Sequence, residues 1–123
     1  MTDRLNITSD RTKLDLAMIH RYLSQDSYWW RGVTFNEVAR AIDHSLCFAG
    51  FLGDEQIAFG RVVTDQTTFA YLCDVFVLPD HQGKGYSKQL MSAIMAHPDL
   101  QNLRRFYLGT LDAHRQYRKF LIQ

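Results

Sequence analysis

An apolar strand that runs into a two-glycine loop and then straight into a helix constrains this chain more than any other feature. The segment is Asp74-Val75-Phe76-Val77-Leu78-Pro79-Asp80-His81-Gln82-Gly83-Lys84-Gly85-Tyr86-Ser87-Lys88-Gln89-Leu90. A junction of this kind aims several backbone N–H groups outward at the positive end of the helix dipole, which suits a phosphate or pyrophosphate. Gly83 and Gly85 allow close backbone approach and a positive φ without a Cβ penalty. Lys84 and Lys88 add positive charge. A plain helix entry that needs glycine only for its geometry stays open as the alternative. Two nucleotide sites do not fit. The chain has no Gly-x-x-x-x-Gly-Lys-Ser/Thr run and no Gly-x-Gly-x-x-Gly at its first strand–helix junction.

The 123 residues suffice for one domain, 1–123, with a single core. The formal net charge is +1, so no global field calls for nucleic acid. The charge is uneven, however. Between Gln101 and Gln123, Arg104, Arg105, Arg115, Arg118 and Lys119 face one acid, Asp112. That stretch is either a solvated basic helix face or a field attracting a polyanionic ligand. Cys47 and Cys73 each lie in an apolar run, the usual place of small buried hydrophobes in a reducing compartment, although two cysteines also permit a disulfide. There is no apolar leader after Met1 and no run long enough to span a bilayer, so a cytoplasmic location with no membrane partner is the expectation.

Hydrophobic periodicity predicts the elements. Ile7–Ser9 reads as a short strand, and Leu14, Met18, Ile19, Tyr22 and Leu23 predict a helix over Asp15–Ser24. Ser27-Tyr28-Trp29-Trp30-Arg31-Gly32 is an aromatic loop. Thr34-x-x-Glu37 forms a capping box that opens a second helix ending at Ile42. Strands are predicted over Ser45–Phe51, Gln56–Val63 and Thr68–Val77, with turns at Gly53-Asp54-Glu55 and Asp65-Gln66. A helix over Gly85–Ala96 stops before His97-Pro98. A strand over Arg105–Leu108 and a helix over Ala113–Phe120, capped by Asp112, complete the order β-α-α-β-β-β-α-β-α.

Three segments carry a family resemblance. Gln82-Gly83-Lys84-Gly85-Tyr86-Ser87 resembles the cofactor motif of the GCN5-related N-acetyltransferases, with Ser87 where that family has Gly or Ala. Phe59–Asp65 and Phe69–Val77 resemble its central strand pair, and Leu111–Phe120 resembles its tyrosine-bearing last motif. The resemblance implies a mixed α/β acyltransferase fold and acetyl-CoA as cofactor. It implies transfer of the acetyl group to a primary amine of a small molecule or peptide. It places the backbone of Val75, Phe76 and Val77 beside the pantetheine arm, and the loop Gln82, Gly83, Lys84, Gly85, Tyr86, Ser87 and Lys88 at the pyrophosphate. Members of the family usually continue into Gly-Phe and further strands, whereas this sequence reaches Leu121-Ile122-Gln123. An open edge on Arg105–Leu108 and a homodimer covering it are therefore expected.

The remaining candidates are chemical. By resemblance Tyr117 is the acid that protonates the leaving thiolate, as a phenol with a pKa near ~10 can do. Otherwise it packs helix on sheet. Asp74, the one carboxylate of its strand, could deprotonate the incoming amine, or pair with an arginine, or hydrogen-bond the strand edge. Tyr71 and His114 are weaker bases. Tyr28, Trp29 and Trp30, with Phe35, could wall the acceptor site through apolar and cation–π contacts, or simply pack the short helices. Two functions follow: an N-acetyltransferase, or an acyl-CoA-binding module with little catalysis.

Overall fold

The computed structural model describes residues 4–108. Its five strands are β1 (Asn6–Thr8), β2 (Leu46–Leu52), β3 (Glu55–Thr64), β4 (Phe69–Val77) and β5 (Arg105–Leu108), lying side by side in that order. The pairs from β1 to β4 are antiparallel, and β4 with β5 is parallel. Antiparallel neighbours can be joined by tight turns, and those between β2 and β3 and between β3 and β4 use positive φ at Gly53 (+59°) and Gln66 (+64°). A parallel pair needs a crossover. Helix α3 (Tyr86–Ala96) supplies it, while α1 (Leu16–Arg21) and α2 (Phe35–Asp43) precede β2. The mixed α/β order expected from the sequence is reproduced through β5. The predicted last helix, with Tyr117 and His114, lies outside the described residues.

The sheet has two unlike faces. Toward α3 it is dry: Leu90, Met91 and Ile94 are fully buried against Val62, Ala70 and Leu72. Each such side chain contributes roughly 1.5–3 kcal/mol by leaving water. The layers meet so closely that a Cβ on Gly60 would lie 3.1 Å from Ile94 Cδ1. Toward α1 and α2 the core is built from Ile19, Leu23, Val38, Phe59 and Phe76. Helix α2 starts on the expected capping box, with Glu37 N–H donating to Thr34 Oγ1 and Thr34 N–H donating to Glu37 Oε1.

Two departures from the sequence reading matter for function. The first helix does not run on to Ser24. It ends at Arg21 and widens into a π-helical turn over Tyr22–Asp26, closed by Ser27 N–H donating to Tyr22 O. Ser27 Oγ donates to Leu23 O at 2.6 Å and accepts from Trp30 N–H, which bends the chain into the aromatic loop. The second departure is a β-bulge in β4. Phe59 faces Phe76 and Arg61 faces Cys73, so Gly60 alone opposes both Asp74 and Val75. Strict alternation would place Asp74 beside Ala70 and Leu72 in the dry face. The bulge gives that face to Val75 and Val77 instead, and Asp74, at φ +52°, turns to the other side.

Candidate functional site

The cofactor-loop candidates gather at the end of β4. Leu78 N–H donates to Ile57 O at 2.8 Å, so the peptide groups of Val77 face away from β3, as alternate residues of an antiparallel pair must. On that side β5 pairs only with Phe69–Leu72. Among the described residues the far half of β4, Cys73–Val77, therefore has no strand neighbour there. Gln82 Nε2 reaches back to donate to Val77 O at 2.8 Å and ties the loop to the strand end. Gly83 (φ +77°) and Gly85 (φ +87°) both need the left-handed region, and a Cβ on either would meet open space. Glycine is thus required by backbone conformation and leaves the outer side of the loop clear for a ligand. Helix α3 starts on Gly85 with no side-chain cap and no acid in its first turn, and Lys84 and Lys88 are exposed beside it. That combination favours an anion.

Not every predicted contact offers a side chain there. Tyr86 is buried in the α3-side core, Val75 packs against that core, and the Phe76 ring stacks on Tyr22 at 3.9 Å. What Tyr86 and Val75 have to offer a ligand is backbone.

On the other side of β4 the aromatic loop and Asp74 come together. Trp29 Nε1 donates to Asp74 Oδ1 at 2.8 Å, and Arg61 Nε donates to Asp74 Oδ2 at 2.6 Å. The arginine-paired state, one of the three readings open for Asp74, is the one observed. Arg61 also donates to Ser45 Oγ, and its guanidinium lies 5.7 Å from the Trp30 ring centre. Burial works against the charge on Arg61, but the Asp74 carboxylate, Cys73 and Cys47 together outweigh burial and the guanidinium is held above its usual pKa. Tyr28 is 67% exposed and leans edge-on against Trp29. Phe35 packs edge-on against His20 instead. Tyr71 is half exposed and lies beside Tyr107 on β5.

Sequence reasoning missed Arg61, Ser45 and Tyr22. Arg61 left one usable signal: a lone charge within the apolar run Ile57–Val63, one strand away from the lone carboxylate of β4. Cys47 and Cys73 are free thiols. Burial pushes them up to about 12 and about 11, despite the opposing charge of Arg61. Among the described residues no group of His, Cys, Asp and Glu could hold a metal ion, and no helix is long and apolar enough to cross a membrane.

The sequence profile of the acetyltransferase (GNAT) family matches residues 15–121. The chain belongs to the GNAT family. As a GNAT protein it is an acyltransferase, and the family uses an acyl-CoA cosubstrate. A Xanthomonas campestris crystal structure of a protein assigned to the GNAT family is 54% identical, with a TM-score of 0.94 over 100% of this chain and 87% of that one. A Gibberella zeae protein that carries an acetyltransferase name is 29% identical over 86% of this chain and 71% of its own length. The ribosomal-protein-S18-alanine N-acetyltransferase of Escherichia coli shares the GNAT fold at 19% identity, with a TM-score of 0.73 over 95% of this chain and 76% of that one.

Proposed function

We propose that this GNAT chain moves an acetyl group from acetyl-CoA to a primary amine of a small molecule or peptide, by direct attack. The observation that carries the reading is the end of β4. There a strand edge without a described neighbour meets a loop whose glycines take positive φ at an uncapped helix start. The acyl-CoA supplies an activated thioester. The Val77 N–H and the loop amides from Gly83 to Ser87 bind and orient its arm and pyrophosphate, with Lys84, Lys88 and the Tyr86 backbone beside them. Tyr28, Trp29 and Trp30 wall the acceptor side. In the reaction the C–N bond forms and the C–S bond breaks. The amine gives up its proton to solvent, and Tyr117 gives one to the departing thiolate.

The alternative of a cysteine acyl-enzyme is disfavoured, because thiols pushed up to about 11 and about 12 hold almost no thiolate at neutral pH. The work is expected in the cytoplasm, with no membrane or nucleic-acid partner.

A panel of amines and N-terminal peptides in a thiol-release assay, with acetyl-CoA binding by calorimetry, tests this. Turnover on at least one amine supports it. Binding without turnover on any amine points to a binding module, and no binding removes the reading. A homodimer that covers β5 is part of the proposal, since Phe106 and Tyr107 sit on a strand with one described neighbour. Light scattering at micromolar concentration should give twice the 14.4 kDa chain mass. A monomer mass throughout would remove the dimer.

A further inference from the structure

Asp74 occupies a costly position. It is 3% exposed, it takes a left-handed backbone at a bulge, and each carboxylate oxygen has a partner. A buried carboxylate persists only when paired, and a non-glycine residue at positive φ persists only where its surroundings hold it there. Arg61 neutralises the charge and is itself braced by Ser45 Oγ, which donates to Ala41 O near the end of α2. The second oxygen does something other than neutralise. It accepts from Trp29, whose indole has one polar atom and therefore one way to be anchored. Tyr28 rests edge-on against that indole at 5.1 Å between ring centres, and Tyr22 flanks it at 6.4 Å. Asp74 also lies on the strand that ends in Val77. One side chain thus ties the aromatic loop to the strand edge that faces the cofactor opening.

We propose that Asp74 is a positioning residue for the acceptor. Its carboxylate, fixed by Arg61, holds Trp29 and through it Tyr28 at a set place relative to Val77. This rests on the reading of Tyr28, Trp29 and Trp30 as the acceptor wall. It assigns Asp74 no part in proton transfer, because a proton there would cancel the charge that pairs with the buried Arg61 guanidinium.

The test uses the full chain. Its two tryptophans give two indole N–H resonances in a ¹⁵N spectrum, and Trp30→Phe assigns them. The Trp29 resonance should be protected from exchange in the wild type and exposed to it in Asp74→Ala. In Asp74→Asn, which keeps an oxygen and tolerates the left-handed backbone, it should stay protected. Kinetics then use whichever amine of the panel turns over. Trp29→Phe keeps the ring bulk and loses the anchor. It should raise the acceptor KM roughly ten-fold, the effect of one hydrogen bond to a charged group. The acetyl-CoA Kd should stay near wild type. Asp74→Asn should fall between the wild type and Asp74→Ala in acceptor KM.

An unmoved Trp29 resonance in Asp74→Ala overturns the proposal, as does an unchanged acceptor KM in Trp29→Phe. So does a loss of kcat of about 10²–10⁴-fold that is equal in Asp74→Asn and Asp74→Ala, the signature of a general base. If no amine turns over, the acyl-transfer reading fails by itself. The indole spectra still decide whether Asp74 holds Trp29, so the two failures separate.

Discussion

The loop after β4 and the aromatic wall beside it flank the same strand and are built in opposite ways. The loop presents backbone: Gly83 and Gly85 at positive φ, the start of α3, and a Gln82 side chain spent on Val77 O. The wall presents side chains, brought by contacts between Trp29 from one loop, Arg61 from β3 and Asp74 from β4. A backbone site suits a partner whose polar groups are the same in every reaction. A side-chain site suits a partner that differs from enzyme to enzyme. On the proposed reading the cosubstrate of the family is of the first kind and the acceptor amine of the second.

The sharpest division between binding and chemistry would come from Tyr117, which lies outside the described residues. If loop and wall only bind, Tyr117→Phe should lower turnover by roughly 10²–10⁴-fold, the worth of general acid catalysis, while acetyl-CoA affinity holds. Single-turnover kinetics beside calorimetry measure both. Turnover equal to the wild type would remove Tyr117 from the reaction and leave solvent as the acid.

The loop should be sensitive in its backbone and tolerant in its side chains. Gly83→Val and Gly85→Val force a β-branched residue into a conformation it resists and aim a side chain into the space left for the ligand. Each lost charge-assisted hydrogen bond costs on the order of 1.5–3 kcal/mol, so acetyl-CoA should bind about ten- to a hundred-fold more weakly. Lys84→Ala removes only an exposed charge and should cost much less. Three small and equal effects would mean that the loop is a helix entry and nothing more.

The same contrast explains what could be read from the sequence. The loop was legible because its chemistry is local: two glycines at fixed spacing after an apolar strand and before an apolar helical stripe. β5 over Arg105–Leu108 and the capping box of Thr34 and Glu37 were legible for the same reason. The wall was only half legible. Tyr28-Trp29-Trp30 stood out as aromatic, but nothing local pointed from Trp29 to Asp74, 45 positions away. The face Asp74 occupies depends on a bulge opposite Gly60, and alternation read along β4 puts it on the wrong side. The π-helical turn at Tyr22–Asp26 escaped likewise, because Ser27 bonds to Leu23 O and Trp30 N–H only once the loop has bent.

The smallest expected effect separates the two faces of the sheet by pH. Cys47 lies in the core under α1 and α2, and Cys73 neighbours Arg61 on that same side, while the α3 face carries no thiol among the described residues. Burial raises Cys47 to about 12 and Cys73 to about 11 from the usual 9.0. Below pH 9 both thiols keep their protons, folded or unfolded, and stability does not depend on them. Above it the unfolded chain ionises first and the folded chain resists. Stability present below pH 9 is then lost as pH rises toward 11 and 12, by at most about 1.4 kcal/mol per pH unit for each thiol. Tyr22, raised by burial and by Asp26, adds to the loss once pH passes 10.0. Thermal melts of the wild type and of a Cys47→Ala, Cys73→Ala chain across this range should diverge, with the double variant declining more gently. Parallel declines would mean that water reaches both thiols in the folded protein. The wall face would then be wetter than the burial of Asp74 and Arg61 requires, and the anchoring of Trp29 would lose the low dielectric that makes it strong.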